Sequence, residues 1–174
     1  MPKKIEGLKE IINAETKKQI KEKGFSGITV ISVAKGAKVG VGTVYANFSN
    51  KEELLFCYMF DEWTKYHERM YKRVEQSSDP LEKIKSIYEE LSAFYNENAH
   101  VINDPGIKRA FGTVMTKYLN EMLDNIKDTM RPIASKMAIE DEELSLLILS
   151  EMIVKFVSKY DFERVKPFFE HMIK

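Results

Sequence analysis

The sequence predicts an all-α protein of about nine helices, a three-helix N-terminal module with a helix-turn-helix followed by a helical bundle. Three observations carry this. Apolar residues recur at three- and four-residue steps along most of the chain, the spacing of one helix face. Only eight glycines and five prolines punctuate 174 residues, too few for a turn-rich β protein. No segment alternates apolar and polar residues as a half-buried strand does.

The elements follow in order. Helix 1 is expected over 3–23, with Ile5, Leu8, Ile12, Thr16 and Ile20 as its stripe and Gly24 as its stop. Thr29 is placed to cap a short helix from Val30 to about Gly36. Ala37, Lys38 and Val39 leave room for a turn alone, and a second short helix fits Val41–Asn47. Asn50 or Ser49 can open a capping box with Glu53 or Glu52. The helix that follows runs to about residue 76, with Leu54, Leu55, Tyr58, Met59, Trp63, Tyr66 and Met70 on its apolar face. Ser77-Ser78-Asp79-Pro80 ends it, and Pro80 suits the first turn of a helix over 80–97. Asn103-Asp104-Pro105-Gly106 reads as a turn. Helical spacing resumes over 107–137 through Phe111, Met115, Tyr118, Met122 and Ile126, with Pro132 as an interruption. Two more helices are expected, over 140–159 and over 161–174, the last capped by Asp161 and carrying Pro167.

Composition narrows the class. Apolar residues make up 44% of the chain and charged residues 31%, enough for a packed core. The lone Cys57 has no internal disulfide partner, and neither an N-terminal apolar signal nor an 18-residue apolar run is present. A reducing cytoplasm is the expected setting. The formal net charge is zero, but the charge is unevenly spread. Residues 1–51 hold ten lysines and four glutamates; the rest holds 17 basic and 23 acidic residues. A basic module, residues 1–50, joined to an acidic body, residues 51–174, suggests an end that faces a polyanion. Plain solvation of a lysine-rich helix is the other reading.

The stretch from Gly24 to Leu55 sharpens the choice. Two short helices joined by a three-residue turn must pack on each other and on a longer neighbour. Ile28, Val30, Val33, Ala34, Val39, Val44 and Phe48 can do this against Ile12, Thr16 and Ile20. One face of the second short helix is then left outward, the way a helix enters a DNA major groove. Gly40 and Gly42 would let the backbone come close to phosphates.

These residues carry a family resemblance. Gly24-Phe25, Thr29-Val30, Val33-Ala34-Lys35, Val39, Gly42-Thr43-Val44-Tyr45, Phe48, Lys51-Glu52 and Leu54-Leu55 together resemble the N-terminal helix-turn-helix of the tetracycline-repressor (TetR) family of transcriptional regulators. The remaining residues resemble the family only in being helical and of suitable length. Four positions depart from the pattern: Lys38 stands where the turn usually has glycine, Gly40 replaces a serine cap, and Ala46 and Asn47 replace a common arginine and histidine. No arginine precedes Arg69, so the fork that reads guanine bidentately is missing.

The resemblance implies DNA contacts from Thr43 and Tyr45. Val41 can touch a thymine methyl, and Asn47 either pairs with adenine or caps its helix. Thr29 can both cap and offer a hydroxyl to phosphate, and Lys38 and Lys51 are phosphate anchors or simply solvated. Gly40, Gly42 and Ala46 complete the expected surface. Since one module binds weakly, a two-fold dimer on a palindromic operator is implied.

The resemblance further implies an effector pocket in the body and a homodimer through the last two helices, about 140–174. Leu144–Val157 is apolar nearly all round, which fits burial against a partner or in the monomer core. Trp63, Tyr66, Phe94, Phe111, Met115, Tyr118 and Phe156 can line a site for an apolar or aromatic molecule, or form ordinary core. Glu151 pairs with Lys155 four residues on, or meets a ligand or partner. The implied function is a repressor released from its operator by a small molecule. An enzyme is disfavoured: His67, His100 and His171 lack metal-ligand spacing, Cys57 has no adjacent base, and no phosphate loop follows a strand. No cofactor or metal is called for. The alternative is a helical interaction protein of the same fold without sequence-specific DNA reading.

Overall fold

The structure is a computed structural model that describes residues 7–110 and 113–173, leaving aside the side chains of 108–110, 113–117 and 119. The expected first residues of helix 1, Phe111 and the side chain of Met115 lie outside it. Among the described residues the fold is all-α: α1 Leu8–Lys23, a 3-10 turn Phe25–Gly27, α2 Val30–Gly36, α3 Val41–Tyr45, α4 Lys51–Glu75, α5 Pro80–Ile102, α6 Pro105–Ala110, α7 Thr113–Ala134, α8 Glu142–Phe156 and α9 Phe162–Met172. The expected span 107–137 is covered by two helices, the first of which starts at Pro105, where the Asp104 carboxylate accepts from the Gly106 amide at 2.7 Å. Pro132 and Pro167 both lie inside helices, and α5 runs five residues past its expected end. Asp141, which the sequence reading missed, caps α8 by accepting from the Leu144 amide at 3.0 Å.

The chain groups into two compact units, one of Met1–Glu62 with His100–Tyr118, the other of Trp63–Ala99 with Leu119–Lys174. They part inside α4 rather than at residue 50. The reason is the continuity of α4 and the contacts of its first three turns: Leu54 joins the N-terminal core, Asp61 accepts from Asn13, and Glu62 pairs with Lys17.

In the first unit, Ile12, Val30, Val33, Ala34, Val44, Phe48 and Leu54 form one buried cluster, with Leu8, Ala37, Val39 and Cys57 packed against it. A polar knot sits beside this cluster. The buried Gln19 amide donates to the Ser32 carbonyl at 2.9 Å and to Glu15 at 2.7 Å, while the Ser32 hydroxyl donates to the Gln19 side-chain oxygen at 2.7 Å. These bonds fix the start of α2 on α1. Gly24 ends α1 at φ 68°, ψ 171°, a conformation open in practice to glycine alone.

In the second unit the core is aromatic. Trp63 and Tyr66 each meet the edge of Phe94 at 5.4 Å between ring centroids, and the Trp63 indole donates to Asn125 at 3.1 Å. Burial, and then the Glu97 carboxylate, push the Tyr66 phenol up to about 12. Tyr88 donates to the Tyr160 carbonyl at 2.7 Å, which ties α5 to the α8–α9 link. Arg69 and Arg73 of α4 both bind Glu90, and Arg73 also binds Glu89, clasping α4 to α5. The Ala138 amide donates to the Met172 carbonyl at 2.8 Å beside an isolated Met137–Ile173 bridge.

His67 lies on Trp63, with its Nε2 3.2 Å from the Thr129 hydroxyl. Burial holds its imidazole below its ordinary value. The native state therefore binds this proton less readily than the unfolded chain does, so the stability gained is present above pH of about 6.5 and lost as pH falls. The thermal midpoint of the wild-type chain is expected to drop more steeply on acidification below that value than that of His67→Gln, as followed by helical circular dichroism.

Candidate nucleic-acid interface

A five-residue helix has almost no intrinsic stability in water, so α3 exists by virtue of what it packs on. Val44 is wholly buried and Phe48 nearly so, in the cluster that joins α1, α2 and the start of α4. Burial of that one side forces the opposite side out. Gly40, Val41, Gly42, Tyr45 and Ala46 are exposed, Tyr45 by 54%, and Thr43 is half-buried.

The turn before α3 is set by Lys38, whose φ of 57° places a lysine in the left-handed region where glycine is usual. Its side chain is exposed, as is that of Lys35. Gly40 takes the N-cap position in extended conformation with no side-chain bond. A Cβ added at Gly42 would meet nothing within 4 Å, so this glycine is not required by packing in the free chain. From Gly24 to Lys51 there is no acidic residue and there are three lysines, so this segment is itself net positive.

Several predicted roles resolve. Thr29 caps α2 through a full capping box: its hydroxyl accepts from the Ser32 amide at 3.0 Å, and its own amide donates to the Ser32 hydroxyl at 3.0 Å. Asn47 turns back on its own helix, its amide donating to the Thr43 carbonyl at 2.8 Å, the capping alternative of the two. Lys51 points inward rather than outward. It donates to the carbonyls of Phe25 at 3.0 Å and Ile28 at 3.4 Å and sits 4.2 Å from the centre of the Phe25 ring. Its position at the start of α4 holds the 3-10 turn in place. Asn50 does cap α4, accepting from Glu53 at 2.8 Å, while Glu53 reaches back to the Ser49 amide at 2.6 Å. Sequence reasoning missed Ile31, which is 64% exposed on α2; it lies off the inward Val30-Val33-Ala34 stripe, which was the available signal.

The expected effector residues do not form one group. Trp63, Tyr66 and Phe94 pack together as buried core. Tyr118 belongs to the other unit, where its hydroxyl lies 3.2 Å from the Cys57 sulfur and its ring packs on Phe56 and Phe60. Glu151 is exposed and pairs with Lys155 at 3.1 Å. Phe156 meets Tyr160 and Phe168 edge-on, beside an open cleft of about 270 Å³ that Arg164 and Val165 also line. Among the described residues, no cluster of His, Cys, Asp and Glu is arranged to hold a metal ion, and no helix is long and apolar enough to cross a membrane.

A short helix held outward by a three-helix core, in a lysine-bearing segment free of acidic residues, defines a helix-turn-helix protein. Residues 12–56 match the bacterial regulatory proteins of the tetR family. The chain is 26% identical over 83 residues to the HTH-type transcriptional regulator HbdR of Aromatoleum sp. strain CIB, a match covering 48% of this chain and 36% of that protein. It is 26% identical over 178 residues to the uncharacterised HTH-type regulator YhgD of Bacillus subtilis, covering 94% of this chain and 87% of that one. The chain thus spans about a third of HbdR's length and most of YhgD's. Its fold resembles that of the transcriptional regulator FadR from Bacillus subtilis, solved in complex with stearoyl-CoA (TM-score 0.64, 19% identity, 91% of this chain and 94% of that one). It also resembles the superantigen PfiT (TM-score 0.70, 15% identity, 97% of each chain).

The strain at Lys38 can be measured. A left-handed lysine costs about 1 kcal/mol or more relative to glycine, offset in part by glycine's freedom in the unfolded chain. Lys38→Gly is expected to raise stability by about 0.5–1 kcal/mol in urea titrations; a loss of stability would show that the turn depends on the lysine side chain.

Proposed function

We propose that this chain is a dimeric transcriptional repressor that binds a palindromic operator through α3 and is released by an apolar small molecule. The observation that carries the reading is the outward side of α3, exposed within a segment, Gly24 to Lys51, that has no acidic residue. Thr43, Tyr45 and Val41 are the proposed base and phosphate contacts, with Gly40, Gly42 and Ala46 permitting close approach. Lys38 and the hydroxyl of Thr29 are proposed phosphate contacts, while Lys51 and Asn47 support the module from within.

Dimerisation is proposed through α8 and α9. Leu144, Leu147 and Val154 fall on one side of α8 at helical spacing and are 44%, 50% and 37% exposed, and Phe168 of α9 is 49% exposed. A surface this apolar suits a self-complementary two-fold contact, with the Glu151–Lys155 pair beside it. Leu147→Glu would bury charge in such a contact. It is expected to leave helical content intact, convert dimer to monomer in sedimentation, and weaken operator binding at least tenfold; a dimer that survives would refute this face.

The effector is proposed to be long and apolar and to act in the second compact unit, near Trp63, Tyr66 and Phe94. Support comes from the fold shared with FadR, which was solved with stearoyl-CoA. Because α4 contributes to both compact units, a ligand that shifts it would alter the separation of two recognition helices and shift the population away from the DNA-bound form. Trp63 is the sole tryptophan, so it reports on this region alone. A duplex selected from a random pool is expected to bind about 10³-fold better than random DNA. Saturating long-chain acyl-CoA should weaken that binding at least tenfold while shifting Trp63 emission. Equal DNA affinity with and without bound ligand would remove the effector from the mechanism.

A second reading, an interaction protein that keeps the fold without reading sequence, is favoured by the missing arginines and by the likeness to PfiT. Binding to random and selected duplexes with equal affinity would establish it.

A further inference from the structure

We infer that the operator half-site is rich in A·T pairs and is read mainly through thymine C5-methyl groups, by Val41 and Ile31 with Tyr45 and Ala46 beside them. This rests on the reading of α3 as the DNA-facing helix and specifies its target.

The inference comes from what the surface offers. Guanine is read best by an arginine fork and cytosine by a carboxylate that accepts from its N4 amine. Neither group occurs between Gly24 and Lys51. The amide of Asn47, the natural partner of adenine, is drawn back to the Thr43 carbonyl. Of the three lysines, Lys51 is held by two backbone carbonyls, and Lys35 and Lys38 lie on α2 and the turn rather than on α3. Their flexible point charges suit phosphates. Apart from Lys35 and the half-buried Thr43, the side chains exposed on α2 and from Val41 to Ala46 are apolar or aromatic, unusual for a DNA-facing surface: Ile31, Val41, Tyr45 and Ala46. The one feature in the major groove that rewards apolar contact is the thymine methyl. The absence of a Cβ at Gly42, with open space around that position, leaves room for α3 to approach closely enough for such contacts.

The test uses the full chain. Duplexes are first selected from a random pool, and each thymine of the winning sequence is then replaced by deoxyuridine, which removes the C5-methyl and leaves the base pairing intact. The expected result is an A·T-rich half-site in which one to three thymines each lose about fourfold in affinity on replacement, the worth of one buried methyl. Val41→Ala or Ile31→Ala should abolish the sensitivity at one of those positions. A selected site that tolerates uracil everywhere, or one anchored by invariant guanines, overturns the inference while leaving the regulator reading intact. Selection that yields no preferred duplex overturns both, and points the same apolar surface at a protein partner.

Discussion

Everything at the helix-turn-helix end depends on the burial of Val44 and Phe48. A helix of five residues cannot pay its nucleation cost alone, and α3 has no side-chain cap at Gly40 and no charged residue of its own to steady its dipole. Its conformation is imposed by one packed side. Ile12 from α1, Val33 and Ala34 from α2 and Leu54 from α4 converge on that side, so the geometry of the exposed side is determined by residues that never leave the core. The Gln19–Ser32 knot adds direction to this oily contact, because a hydrogen-bonded pair has one register where apolar packing tolerates several.

Much of this was legible in the sequence. The 3.6-residue stripes gave the helices, and the inward set Ile28, Val30, Val33, Ala34, Val44 and Phe48 is buried as their spacing implies. Caps at Thr29, Asn50 and Asp161 could be read because each follows from a short polar side chain meeting amides within three residues. What stayed hidden was of two kinds. Long side chains choose their partners in space: the ammonium of Lys51, read as a candidate for phosphate, folds back on Phe25 and Ile28 carbonyls that lie more than 20 residues away in sequence. Helix breaks also depend on context: Pro132, read as an interruption, sits inside α7.

The body illustrates how one composition serves different ends. Aromatic residues that look alike along the sequence divide by environment. Trp63, Tyr66 and Phe94 satisfy one another and close off as core, with the indole nitrogen and the phenol each given a polar partner. Phe156, Tyr160 and Phe168 instead gather at an open cleft near the surface. Helical spacing alone reports that a residue lies on an apolar side. It does not report whether that side meets the chain's own core, a second subunit or a small molecule, since all three ask for the same chemistry.

The inward cation at Lys51 gives the start of α4 an unusual kind of joint. Its grip combines two carbonyl acceptors with an aromatic face, all on the 3-10 turn and the residue after it, which lead into α2. Such a grip requires positive charge but no particular carboxylate, so salt should loosen it less than it would an exposed ion pair. Neutralising that amine, as acetylation does, would unfasten the turn from α4 without altering any atom that faces outward.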